Sequence, residues 1–401
     1  MNHVEDTLRR TLENAARQAP TALPGTLAGR LETRHQRRRH RAQALLAAAA
    51  VVLVAGGTAV GLRAGGGTTM PAARSSPTPS LSATASAVAL EPVEKVWPQA
   101  AWTAPVRAPG GPELRPMAMI DDRTLLMSAG RTFGKVETLY AYDSATGDLR
   151  RITDVPAPKG TTLFATGFGL DGTRVAWWTM TKGVVHIWAA ALDGGRARPV
   201  AGHPVDGDDA PDGLGLAGDD VVFSLANGGV YRVPLTGGPV MPVPDGAGLH
   251  LLSWPWAGTP GAGDPRRPAF TKLVNLATGQ TSTAVVRDGE RVYACGVRSC
   301  FGTAPDGKAF TRARDGSRQK EIPSGYLVPE PPVQSRFYVR NIRDDGPGIG
   351  LYDLVTGTLA DTGIREEVAT RGEIPVPDAA GRIMTYRLKN RYHVIDLSKI
   401  P

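Results

Sequence analysis

Hydrophobic and polar positions divide this chain into four stretches of different texture. Val4, Leu8, Leu12, Ala15, Ala16 and Ala19 recur at spacings of three and four, which predicts a short amphipathic helix over 3–19, stopped by Pro20 and Pro24. Residues 27–41 continue helically toward Ala42–Leu62, 21 positions without a charge. At 1.5 Å per residue that run reaches about 31 Å, enough to cross a bilayer core. Residues 65–93 carry Ala, Ser, Thr, Pro and Gly with hardly a large apolar side chain, the composition of an extended spacer. From Trp97 to the end, short β-type runs alternate with turn signals.

Those runs repeat. A strand, a tight turn ending in glycine and a second strand recur with Gly147, Gly194, Gly237, Gly279, Gly316 and Gly357, spaced 47, 43, 42, 37 and 41 apart. Asp353 to Asp396 adds a further 43, in the closing run YHVIDLSKI. A second turn family precedes several of these by about 20 residues: Asp121–Asp122, Asp171–Gly172, Asp219–Asp220, Asp306–Gly307 and Gly381. Two hairpins per period near 42 predict an all-β propeller of about seven four-stranded blades over 97–401. The last repeat is unfinished, so a strand from 96–104 is expected to complete it and close the ring. The predicted organisation is a cytoplasmic tail (1–41), a transmembrane helix (42–62), a disordered linker (63–96) and an extracytoplasmic propeller (97–401).

Charge sharpens the topology. The chain carries +8, but residues 1–41 hold nine arginines against four acids, whereas 36 basic residues meet 34 acidic ones from residue 64 onward. A uniformly basic surface for nucleic acid is therefore excluded. Arg30, Arg34, Arg37, Arg38, Arg39 and Arg41 crowd the near side of the apolar run, and only Arg63 follows closely. The positive-inside bias places the N-terminus in the cytoplasm and the rest outside a plasma membrane crossed once. A 41-residue n-region argues for an uncleaved signal anchor over a removed signal peptide. Gly57 and Gly61 give the small-xxx-small spacing that lets two membrane helices approach, the contact a homodimer through this helix would use. The tail contains no cysteine, so a cysteine-ligated zinc module is excluded there.

Chemistry-bearing residues are sparse. Cys295 and Cys300, the two cysteines, fall at hairpin spacing, and an oxidising compartment predicts a disulfide. Asp206, Asp208, Asp209 and Asp212 crowd one Gly-rich loop whose oxygens suit Ca²⁺. Position 210 is alanine and a distal glutamate is missing, so a solvated acidic loop is the expected reading. Trp177 and Trp178 are adjacent on a strand and must face opposite sides, as packing residues between blades. His186, His203, His250 and His393 show no metal-binding spacing, and there is no nucleophile elbow or phosphate loop. No cofactor is expected, and no residue stands out as nucleophile or general base.

The runs EKVWPQAAWTAP, RPMAMIDDRTLL and FGLDGTRVAWWT resemble TolB-like and WD40-like β-propellers, and more closely the single-pass anchored propellers of actinobacteria. That resemblance implies a ring outside the membrane, often accompanying extracytoplasmic-function sigma factors. The WD dipeptide and its GH partner are absent, so this is not a regular WD40 array. The turns DSATG, LATG and LVTG resemble quinone-dependent dehydrogenase propellers, but no Trp follows the glycine. The expected function is a non-enzymatic binding or sensing module, with a protein partner at a propeller face or at the tail. The alternatives are a glycan-processing or quinone-linked enzyme with a site in the central channel, and a structural envelope protein.

Overall fold

The computed structural model describes residues 90–131, 134–207, 209–262, 267–342, 348–365 and 374–401. The tail, the apolar segment with Gly57 and Gly61, and Arg34, Arg37, Arg38, Arg39 and Arg41 lie outside the described residues. Within them, no helix is long and apolar enough to cross a membrane.

Among the described residues seven antiparallel sheets form, and six of them have four strands. In order, the blades span 113–154, 163–204, 211–242, 250–283, 291–321 and 337–365, with the seventh assembled from both chain ends. This is the all-β, seven-bladed propeller expected from the period. The six hairpin glycines all have positive φ, from 72° at Gly279 to 125° at Gly194, a region that costs glycine little. Asx turns repeat beside them. Asp143, Asn275 and Asp353 each accept from the backbone amide two residues on, and Asp121 and Asp171 do the same in the other turn family.

Because the strands are antiparallel, the first-to-second and third-to-fourth turns share one side of the ring, here called the turn face. Second-to-third turns and blade-to-blade connections share the other, the loop face. Asp306–Gly307 proves to join the second and third strands of blade 5, so it lies on the loop face, apart from the family it resembles. The first turn of that blade is instead the one spanned by Cys295 and Cys300.

The core is divided, as hydrophobic side chains on alternating strand positions fill the spaces between blades. Among the described residues seven apolar clusters occur, one per interface. Trp177 packs with Leu126, Leu139 and Ile152 of blade 1, while Trp178 packs with Val221 and Phe223 of blade 3. The two indoles therefore face opposite sides, as alternation requires.

Closure uses the N-terminal segment. Ala101–Pro105 pairs antiparallel with Arg391–Asp396, so the first strand of the fold is the outer strand of blade 7. Residues expected in the linker also belong to the ring. Helix α1 (Val93–Val96) buries Val93 completely, and Trp97 meets Phe337 edge-on at 6.5 Å. The linker composition therefore ends earlier than residue 96, because Val93, Val96 and Trp97 supply apolar surface for the blade 6–7 interface.

Blade 6 departs from the regular pattern. Its sheet has three strands, and the inner position is held by short pairings of 325–327 with Phe337–Ile342. Asn341 donates to Gly325 and Leu327 to Val339. Pro323, Pro329, Pro331 and Pro332 crowd this stretch and cannot donate to a longer ladder.

Candidate functional site

Near the ring axis, the first strands of blades 3 and 4 pack against each other. Gly213 makes this possible: a Cβ there would lie 2.8 Å from the Leu251 carbonyl oxygen, a collision no side chain tolerates. The approach brings together Asp212 and His250, which begin those two strands at the loop face. His250 Nδ1 donates to Asp212 Oδ2 at 2.6 Å. Ser224, fully buried on the second strand of blade 3, donates to Asp212 Oδ1 at 2.5 Å. The Ser224 hydroxyl in turn accepts from the Leu251 amide at 2.8 Å.

The wiring decides the chemistry. A serine nucleophile needs a histidine on its hydroxyl and a carboxylate beyond that histidine. Here the carboxylate sits in the centre, and the single proton of the serine hydroxyl is already given to Asp212. The trio positions the His250 ring and does not activate Ser224. Gly261 lies against that ring, since a Cβ at 261 would fall 2.6 Å from it. His250 Nε2 has no hydrogen-bond partner among the described residues. The Asp212 hydrogen bond raises the His250 pKa above the ordinary histidine range, against the opposing effect of burial, with Asp209 adding a smaller pull.

The acidic loop is only partly assembled around this dyad. Asp212 is spent on Ser224 and His250, and Asp209 accepts from the Asn227 amide at 2.9 Å. Asp206 is exposed, and Asp208 lies outside the described residues. Among the described residues, no group of three or more His, Cys, Asp or Glu side chains is placed to hold a metal ion.

Cys295 and Cys300 form a disulfide and lie opposite each other in the register of blade 5. Next to it is Arg314, buried and without a carboxylate. It donates to the carbonyls of Phe270, Thr271, Ser282 and Gly296 and to the Ser282 hydroxyl, sewing blade 4 to blade 5. Burial pulls its pKa down to about 10. Arg312 pairs with Glu290 in the same seam at 2.6 Å.

On the turn face, carboxylates are consumed by the architecture. Asp143, Asp353 and Asp396 hold their own turns and bind Arg123, Arg336 and Arg382 respectively. Burial alone would raise Asp353, but Arg336, the Val355 amide and the Thr356 hydroxyl hold its pKa at about 2. Trp188 is also satisfied internally, its indole N–H donating to Thr179.

Sequence reasoning missed the Asp212–His250–Ser224 trio. Its members are separated by 12 and 38 residues, the second distance being close to one blade repeat. The one available signal is that both ring-facing residues open the first strand of their blade.

No protein-family model matches the chain, and no curated protein matches it. Solved structures do resemble it. YCF48 bound to D1 peptide is 12% identical, with 78% of this chain and 99% of that one covered, at a TM-score of 0.46. The WD40 β-propeller domain of Doa1 is 9% identical over 74% and 98% of the two chains, at 0.37. Oligogalacturonate lyase in complex with manganese is 12% identical over 69% and 74%, at 0.30. Each of these likenesses concerns the fold alone.

Proposed function

We propose that this seven-bladed ring is a non-enzymatic binding module, held outside the cytoplasm by the apolar segment 42–62. It captures a ligand or protein at the loop face, and the tail 1–41 relays occupancy inward to a sigma factor. One observation carries the binding reading over a hydrolytic one: Asp212 stands between Ser224 and His250, so the serine lacks a base. The arginine cluster before the apolar run supports the orientation, and the Cys295–Cys300 disulfide supports an oxidising compartment. The bilayer is then the constant partner, with a homodimer through Gly57 and Gly61 as a further contact.

Intact cells expressing the chain with a C-terminal epitope test the orientation. Labelling by antibody without permeabilisation is expected, together with a reporter fused after residue 70 that is active only outside the cytoplasm. An epitope reached only after permeabilisation overturns the reading. The sigma-factor relay is tested by deleting residues 1–30 and measuring transcription from promoters that depend on an extracytoplasmic-function sigma factor. An unchanged transcript profile removes that part of the proposal.

A further inference from the structure

The loop face is unevenly charged. Over blades 7, 1 and 2 it carries Arg107, Lys159, Lys182, Lys389 and Arg391, all exposed, and none makes an ion pair among the described residues. Topology puts them together. Lys182 and Lys389 sit in second-to-third turns, and Arg391 opens the third strand of blade 7. Arg107 and Lys159 lie in the connections from blade 7 to 1 and from blade 1 to 2. The acids of this sector are already paired with other cations: Glu113 with Arg387 at 3.1 Å, Glu137 with Lys135 at 3.4 Å, and Asp154 with Arg151. The five exposed cations are therefore a positive surplus without internal compensation.

The choice of cation is unusual for this chain. Arginine outnumbers lysine 37 to 9, yet four of the nine lysines, Lys135, Lys159, Lys182 and Lys389, lie in this sector. Lysine is a mobile, hydrated point charge, whereas arginine is a planar fork for oxyanions in fixed positions, so the sector suits a diffuse negative field. Lys389 also takes a positive φ of 49°, at a turn position that glycine or asparagine would occupy at less cost. Blade 3 reverses the sign. Its loop-face connections hold Asp206, Asp209 and Asp245 and no described lysine or arginine.

Among the described residues no aromatic side chain is exposed, so the sector offers no stacking platform for nucleobases or sugar rings. Its cations stand on separate loops along one side of a ring, an array that matches a plane better than a groove. A negatively charged plane also stays within reach, because the 27 residues 63–89 that join the apolar run to the ring span at most about 95 Å. They lead into Ala101–Pro105, the outer strand of blade 7, the blade that carries Lys389 and Arg391. We propose that the loop-face sector of blades 7, 1 and 2 docks on anionic headgroups of the bilayer that anchors the chain, tilting the ring so that blade 1 faces the lipid and blade 3 is lifted away. This deepens the binding-module reading and rests on its membrane anchor.

Hydrogen exchange on the full chain in lipid nanodiscs provides the test, with discs of phosphatidylglycerol compared with discs of phosphatidylcholine. On the anionic discs, amides in 106–112, 155–162 and 388–391 should slow about fivefold or more, those in 243–249 should not change, and high salt should remove the protection. Arg107→Gln, Lys159→Gln, Lys182→Gln and Lys389→Gln should each weaken docking about fivefold and together abolish the protection. These side chains are exposed and unpaired, so the fourfold variant should keep the thermal midpoint of the natural chain. Arg196→Gln, an exposed turn-face change, should leave docking intact. Equal exchange on the two lipids overturns the proposal, as does full protection in the fourfold variant. Protection given by soluble polyglutamate and not by lipid would assign the sector to an acidic polymer and overturns it too. A chain that enters the discs without lipid-dependent protection sinks the docking alone, whereas one that does not enter them refutes the anchor and the docking together.

Discussion

Asp361 donates its backbone N–H to the Glu91 carbonyl at 2.9 Å, so the chain is bonded to blade 6 before it supplies the outer strand of blade 7. The residues between these two bonds are part of the closure. Val93, Trp97 and Ala100 fill the blade 6–7 interface, and His393 Nδ1 lies 2.9 Å from Glu94 Oε1. Trp97→Ala should therefore cost about 3–5 kcal/mol, the usual price of emptying a buried tryptophan site. Urea unfolding followed by tryptophan fluorescence measures it. A loss below about 1 kcal/mol would show that the ring closes without this segment.

The His250–Asp212 bond should make stability depend on pH. Its pKa is raised in the folded state, so the contribution is fully present below the ordinary histidine value of about 6.5. It is lost as pH rises from there through the folded value. Thermal midpoints of the natural chain and of His250→Gln should differ most near pH 5.5 and converge toward pH 8.5. A gap that stays constant or widens with pH would contradict the assignment.

Asp353 should govern acid sensitivity in the opposite sense. Its folded pKa of about 2 lies below the ordinary aspartate value of about 3.9, so its contribution is present above that value and lost as pH falls toward 2. Arg336 also donates to the carbonyls of Ile400 and Pro401, tying the chain end to the same carboxylate. Arg336→Met strands a fully buried aspartate and should cost about 3–5 kcal/mol at neutral pH. Unfolding curves at pH 7 and pH 2.5 check both statements, the penalty shrinking at the lower pH.

The disulfide should matter modestly. Its loop spans only five residues, so the loop-entropy picture assigns it about 2 kcal/mol. The double substitution Cys295→Ser, Cys300→Ser should lower the unfolding free energy obtained from urea titration by that amount while leaving the circular dichroism spectrum of the ring intact. A collapse of the fold would mean that blade 5 depends on the bond far more than its loop length implies.

Much of this architecture was legible in the sequence because its causes are local. A hairpin turn requires positive φ, so Gly147, Gly279 and Gly357 announce the blades wherever they occur. Trp177 and Trp178 declare opposite faces by adjacency alone, and Cys295 and Cys300 declare their pairing by hairpin spacing. What sequence could not show depends on contacts between blades. Asp212 meets His250 only because Gly213 admits the neighbouring strand, and Tyr338 gains its company from blade 5. Glu91 to Val96 read as linker because local composition does not reveal their long-range partner, the open edge of blade 6.

Both ends of the described chain meet at one place. The segment that fastens the ring is also the segment through which residues 1–89 are attached. Tension arriving along the chain reaches the Glu91–Asp361 bond first, the Ala101–Pro105 ladder next, and the middle blades last. Under strain the molecule is built to open like a clasp at its seam, while each of blades 1 to 5 keeps its own sheet.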